Sequence, residues 1–228
     1  MPNRFSLRQI LKRLLFPVLR PLADWYLGRT RKFTWKNIEV TVVPGVFHPG
    51  LFISTKILLN FLLEQTLSGK KFLELGAGSG IISVFAAKQG AIVTASDISL
   101  AAVSNIRSNA ANNGVIITTI HSDLFEALPE EKFDIIVINP PYYPRKPQSE
   151  KEYAFYCGEE FEYFERLFKD LPGYISSESA TWMILSEDCD LQRISRIAAN
   201  NHLAMEEIFR EKQWGEWNYI FQLGRMEE

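Results

Sequence analysis

The residues best suited to chemistry in this chain are Asn139-Pro140-Pro141-Tyr142. They follow Phe133-Asp134-Ile135-Ile136-Val137-Ile138, an apolar run that reads as a buried strand. A polar side chain at the end of such a strand faces the open edge of an α/β sheet, where ligands bind. The two prolines fix φ and remove two backbone donors, leaving nearby carbonyls free to accept from another molecule. The Asn139 side-chain carbonyl and the Pro140 main-chain carbonyl can accept the two N–H groups of a planar NH2. The Tyr142 ring can lie against the plane of that group. Packing beneath the loop is the plainer reading of Tyr142.

A second constellation lies upstream. Glu74-Leu75-Gly76-Ala77-Gly78-Ser79-Gly80 joins a strand to a helix, and its glycines permit a tight turn with close backbone approach to a ligand. Alone, that pattern also suits a dinucleotide site or a plain turn. Two acids narrow it. Asp97 ends the next strand, where a carboxylate can accept from both hydroxyls of a ribose. Asp123 ends the one after, within reach of an adenine amine. Either acid by itself could be a helix cap or a solvated turn residue. Their shared placement at successive strand ends favours a nucleoside.

Regular alternation positions these groups. Strands are expected at 71–75, 92–96, 116–120, 133–138 and 181–185, with helices near 79–88, 99–112, 159–169 and 190–200. Two further strands, 205–212 and 217–223, meet at Trp214-Gly215 as a hairpin. Strands alternating with helices imply a mainly parallel sheet covered on both faces, and the hairpin adds an antiparallel edge strand. Residues 33–53 read as short strands and turns. Ser54 or Thr55 is expected to cap a helix over 56–67. The longest loop, 143–158, directly follows Tyr142, where specificity tends to sit. Its Arg145 and Lys146 could contact a phosphate backbone.

The 228 residues suit one domain with an appendage. Cys157 and Cys189 form no CxxC pair, which argues against a disulfide scaffold or a metal site and fits a reducing, cytoplasmic setting. No run is long and apolar enough for a membrane span, and the start lacks a secretory h-region. The net charge of -2 conceals segregation: residues 1–36 hold nine basic residues against Asp24, while the remainder holds 16 basic and 26 acidic residues. Residues 1–44 are therefore expected to form a basic amphipathic arm and lead-in. Its stripe of Ile10, Leu11, Leu14, Leu15, Val18 and Leu19 is expected to dock on the domain, with weak membrane-surface association as the alternative. The positive charge favours an anionic partner, RNA or another nucleic acid, over lipid headgroups; a solvated basic helix is the plainer reading.

Taken together, ELGAGSG, Asp97, Asp123 and Asn-Pro-Pro-Tyr resemble the class I S-adenosylmethionine-dependent methyltransferases. The resemblance covers about residues 45–223. More narrowly, they resemble the branch holding N6-adenine methyltransferases and the HemK-type glutamine N5-methyltransferases. It implies a Rossmann-like domain over 45–228 with a seven-stranded, mainly parallel sheet. It also implies a cofactor, S-adenosylmethionine, held by Glu74, Gly76, Ala77, Gly78, Gly80, Asp97, Ile98, Asp123 and Leu124. Thr55 and Asn139 would join them, residues 45–55 with the hydroxyls of Ser54 and Thr55 would help close the methionine end, and Asn139, Pro140, Pro141 and Tyr142 would form the catalytic motif. No metal is implied. The expected acceptor is adenine N6 in RNA, with a protein glutamine as the alternative. A non-catalytic module that binds RNA or protein is a third reading.

Overall fold

A computed structural model describes residues 27–226. The expected arm helix over 10–19 lies outside them. The described chain opens with an antiparallel hairpin, β1 (Arg31–Trp35) and β2 (Ile38–Val42). Helix α1 (Ile53–Leu62) leads into β3 (Lys71–Leu75), α2 (Ile81–Lys88), β4 (Ile92–Asp97), α3 (Leu100–Asn112) and β5 (Thr118–His121). Then come β6 (Ile135–Ile138), α4 (Glu162–Asp170), β7 (Ala180–Ser186), α5 (Leu191–Asn200), β8 (Leu203–Gln213) and β9 (Glu216–Arg225).

The sheet order is β5-β4-β3-β6-β7-β9-β8. Strands β3 to β7 pair in parallel, and β9 runs antiparallel to both β7 and β8. The edge is antiparallel, as expected. The structure adds its order: β9 inserts between β7 and β8. Strand periodicity splits the core in two. Phe72, Val93, Ile135, Val137, Trp182 and Ile184 face α1, α2 and the small hairpin. Leu73, Leu75, Ile136, Ile138, Met183 and Leu185 face the apolar sides of α4 and α5.

The small hairpin is pinned to α3 by two buried amides. Asn109 Oδ1 accepts from Thr41 N at 2.8 Å, and Asn105 Oδ1 accepts from Val43 N at 3.2 Å. Both Nδ2 groups donate back to Thr41 O. Buried polar groups so paired fix position as well as adding stability.

Several boundaries differ from expectation. The helix expected over 56–67 ends at Leu62 and that expected over 159–169 runs Glu162–Asp170, while the last two strands run Leu203–Gln213 and Glu216–Arg225. Three starts have a clear physical reason. Helix α1 starts at Ile53, with Phe52 preceding it and no side-chain cap, so Ser54 and Thr55 lie inside its first turn. Strand β5 starts at Thr118, because the register begins at Thr94↔Thr118; Ile116 is 94% exposed. Strand β6 starts at Ile135, whose partner Phe72 is the second residue of β3.

Candidate active site

The C-terminal ends of β3, β4, β5 and β6 open on one cavity of about 510 Å³. The turn after β3 adopts φ of 72° at Gly76, 52° at Gly78 and 74° at Gly80, values that an L side chain rarely takes. Gly76 N and Ala77 N both donate to Ser96 O at 2.9 Å, tying the turn to the end of β4. Of the three glycines, Gly80 alone does not line the cavity. A Cβ there would meet Ile106 at 3.0 Å, so its role is close packing of α2 against α3.

Asp97 is partly buried and firmly held. Its Oδ2 accepts from Gly78 N at 2.8 Å and its Oδ1 from Ser99 N at 2.9 Å. Burial raises its carboxyl above the usual range, and these two N–H groups oppose that rise. Each oxygen keeps a further lone pair for a ligand. Ser96, beside it, lines the cavity, and its buried Oγ has no hydrogen-bond partner among the described residues.

Glu74 also lines the cavity, yet its carboxyl turns toward α2. Oε2 accepts from Ser83 N at 2.8 Å and from the Ser83 hydroxyl. Burial pushes this carboxyl up to about 8, Ser83 opposes the rise, and Asp97 adds a little to it. Asp123 pairs with Arg166 at 2.9 Å, and Arg166 also reaches Glu126 at 2.9 Å. Next to it, Leu124 has φ 51°. Ser122 fixes this exit: its N donates to Asp97 O at 3.0 Å and its hydroxyl to Leu124 O at 2.9 Å. Ile98 lines the cavity, and its carbonyl is engaged by His121 Nε2 at 2.8 Å.

At the other end, Asn139 Nδ2 donates to Ser54 Oγ at 3.2 Å. That contact spends the amide's NH2 side on the protein and leaves its carbonyl to accept. Thr55 is buried and lines the same cavity. Tyr142 packs against the core around β6, with its ring centroid 4.7 Å from that of Tyr143. Burial raises its hydroxyl well above the ordinary phenol range, so it stays protonated at neutral pH. Tyr163, on α4, is held protonated in the same way, with Asp97 and Asp123 reinforcing the effect of burial.

Three aromatic rings pack together on the cavity wall. Phe47 stacks on Phe52 at 4.4 Å, and Phe155 approaches both at 6.2 and 5.6 Å. Phe155 follows a 3-10 turn over Glu150–Ala154 in the long loop. His48, next to Phe47, has a structural part here: its Nδ1 accepts from Gly50 N at 3.1 Å.

Every expected site residue except Gly80 lines this cavity. The sequence did not disclose Ser54 as the partner of Asn139, nor Ser96, Tyr163, Arg166 and Phe155, whereas Phe47 and Phe52 lie in the segment expected at the methionine end. Phe47 and Phe52 flank the Pro49-Gly50 turn, which was the available signal for an aromatic pair there.

The family model for the methyltransferase small domain matches residues 37–155. A Methanocaldococcus jannaschii protein named for protein N5-glutamine methyltransferase activity is 34% identical over 157 residues, covering 66% of this chain and 77% of that one. Ribosomal RNA small subunit methyltransferase C of Alcanivorax borkumensis is 28% identical over 152 residues, or 66% of this chain and 43% of that one. The chain thus spans about three quarters of the first relative and under half of the second. The crystal structure of ribosomal protein L11 methylase from Lactobacillus delbrueckii subsp. bulgaricus superposes with a TM-score of 0.61 at 20% identity, over 82% of this chain and 84% of that one; at that identity it speaks to the fold alone. The family match takes in the glycine turn, both strand-end acids and the Asn139 motif, and with it the chain belongs to the methyltransferase small domain family.

Proposed function

We propose that this protein transfers the methyl group of S-adenosylmethionine to the nitrogen of a planar NH2 group, and that this group is a glutamine side chain of a protein. The observation that carries the reaction is the fixed amide of Asn139, whose free carbonyl shares one cavity with the glycine turn and Asp97.

The cavity suits the cofactor. Its volume of about 510 Å³ lies within the range of small-molecule sites. Asp97 is held ready to accept from a ribose, and the buried Ser96 hydroxyl still needs a partner. Gly76 has no heavy atom within 4 Å of where a Cβ would stand, which leaves room for a ligand against the backbone. Asp97 would hold the ribose, Asp123 and Leu124 the adenine, and Thr55 the methionine end. When bound, S-adenosylmethionine supplies an electrophilic methyl on a cationic sulfur.

The protein's own part is positioning. Asn139 Oδ1 and Pro140 O accept the two N–H groups of the acceptor, so the nitrogen lone pair points into the cofactor end of the cavity. As positive charge develops on that nitrogen, both hydrogen bonds strengthen, and the transition state gains more than the ground state. Ser54 stops the Asn139 amide from presenting its NH2 instead. Tyr142 stays protonated and so does not act as a base; its ring, on the cavity wall, would lie against the acceptor. The proton leaves after transfer.

Two observations favour glutamine. The relative with 77% of its length covered is named for protein glutamine methylation. The mouth is rich in carboxylates, with Glu150, Glu159 and Glu162 on the cavity wall against Lys146 and Arg166, and these repel phosphates. Adenine N6 in RNA is the second reading. It rests on Arg145 and Lys146 directly after the motif and on the relative named for ribosomal RNA methylation. Incubation of the full chain with labelled cofactor and extract from cells lacking this protein decides between them. Label removed by protease supports glutamine, and label removed by nuclease overturns it in favour of RNA.

A further inference from the structure

Helix α4 delivers two side chains to the cavity. Tyr163 and Arg166 stand three positions apart, on one face of the helix, and both line the wall. Arg166 is tied to Asp123 at the exit of β5 and to Glu126, at 2.9 Å each. The start of the helix is tied to the loop that follows the Asn139 motif. Tyr163 N donates to Cys157 O, Cys157 N to Tyr143 O and Tyr143 N to Phe155 O, each at 3.0 Å. The Tyr163 ring packs on the core and meets Phe164 edge-on, with centroids 5.4 Å apart. Backbone and ring are therefore both held.

The hydroxyl at the end of that ring is not. Among the described residues it makes no hydrogen bond, although Asp97 and Asp123 both lie within electrostatic reach of it. A buried tyrosine hydroxyl normally finds a partner. Packing does not require the oxygen, since phenylalanine would fill the same space. Ser96 supplies a second hydroxyl on this side. It pairs with Leu75, so its side chain shares the sheet face that α4 covers. It is 1% exposed, and its Oγ has no partner among the described residues. Two hydroxyls without partners, beside Asp97 and under one helix, mark a place for polar groups from outside the chain.

We infer that the Tyr163 hydroxyl donates a hydrogen bond to the adenosine half of the cofactor, at an acceptor lying between the groups that Asp97 and Asp123 take. The chemistry is complementary. Carboxylates accept, so the two acids serve the ligand's donors, which are the ribose hydroxyls and the adenine amine. Between those donors a nucleoside carries acceptors, its ribose ring oxygen and its purine ring nitrogens. A carboxylate cannot serve them; a protonated phenol can. Burial, with the two acids, keeps Tyr163 protonated, and its hydroxyl is bonded to neither acid, so the proton is left for the ligand. This inference rests on the placing of the cofactor above, and not on the choice of acceptor.

The test is isothermal titration of the full chain with S-adenosylmethionine and with methylthioadenosine, which lacks the amino-acid half. Tyr163→Phe removes one oxygen and keeps the ring, so the unliganded variant should melt as the wild type does. Both ligands should bind it about five- to tenfold more weakly, the worth of one hydrogen bond. Unchanged affinity in Tyr163→Phe, with Asp97→Ala weakened, overturns the inference and leaves the placing of the cofactor intact. Unchanged affinity in both variants overturns both, as does a wild type that binds neither ligand. A loss confined to S-adenosylmethionine overturns the inference by assigning the hydroxyl to the methionine end. A loss accompanied by a lower melting temperature of the unliganded variant overturns it too, by assigning the hydroxyl to the fold.

Discussion

Ser54 and Asn139, separated by 85 positions in the chain, meet through a single 3.2 Å hydrogen bond from amide to hydroxyl. The bond decides which end of the amide faces an acceptor. Asn139→Ala should lower kcat by about 10²–10³-fold, the usual cost of losing a preorganised polar group at a reacting centre. Ser54→Ala should lower it by about tenfold, since it frees the amide to rotate without removing it. Neither should shift cofactor affinity by more than about twofold, given that the carbonyl acts on the acceptor. Steady-state kinetics beside isothermal titration checks both halves. A parallel loss of cofactor affinity would contradict the assignment.

Asp97 presents the opposite pattern. Asp97→Ala should weaken cofactor binding by about 10–100-fold, the range for losing hydrogen bonds to a charged acceptor. It also removes the partner of Gly78 N and Ser99 N, so the melting temperature of the unliganded protein should fall. Calorimetry with and without cofactor separates the two effects. Unchanged affinity would place the ribose elsewhere.

Glu74 makes stability depend on pH in an unusual direction. Its folded value of about 8 lies above the ordinary glutamate value, so the folded state binds the extra proton. Stability from this group is fully present below about pH 4.5 and declines as pH rises through 8. The total is on the order of a few kcal/mol. Denaturant unfolding at several pH values should show wild type and Glu74→Gln alike near pH 5, with the wild type losing ground toward pH 8. Parallel curves for the two proteins would refute this account.

Gly80 should tolerate no side chain. Gly80→Ala combines φ 74° with a contact to Ile106 at 3.0 Å, and should cost about 1–3 kcal/mol. Gly69→Ala shares a positive φ of 75° but has nothing within 4 Å, so it reports the backbone cost alone. The difference between the two unfolding free energies measures the packing of α2 against α3.

These cases also mark what the residues alone could disclose. The glycine turn, the two strand-end acids and Asn139 were legible because each depends on a residue type at a fixed place relative to a strand. Ile116 was misassigned to a strand because an apolar pair beside a helix end reads alike whether paired or exposed. Ser54 was read as a possible cap; its hydroxyl instead serves Asn139, 85 positions further along the chain, which no local pattern encodes. The third glycine of the turn was grouped with the cofactor, although its neighbour Ile106 comes from a different helix. The hairpin at Trp214-Gly215 was legible, but the insertion of β9 between β7 and β8 depends on long-range pairing.

The placement of β9 between β7 and β8 has a consequence for biosynthesis. Strand β8 is made first, yet its sheet partner among the described residues is β9. The outer strand must therefore wait, unpaired, until the inner one has emerged. During translation β7 presents a bare edge throughout that interval, and the hairpin turn takes shape only when β9 closes the gap. A stop codon within β9 would leave both edges open, making such a truncation a source of aggregation and not merely of lost activity.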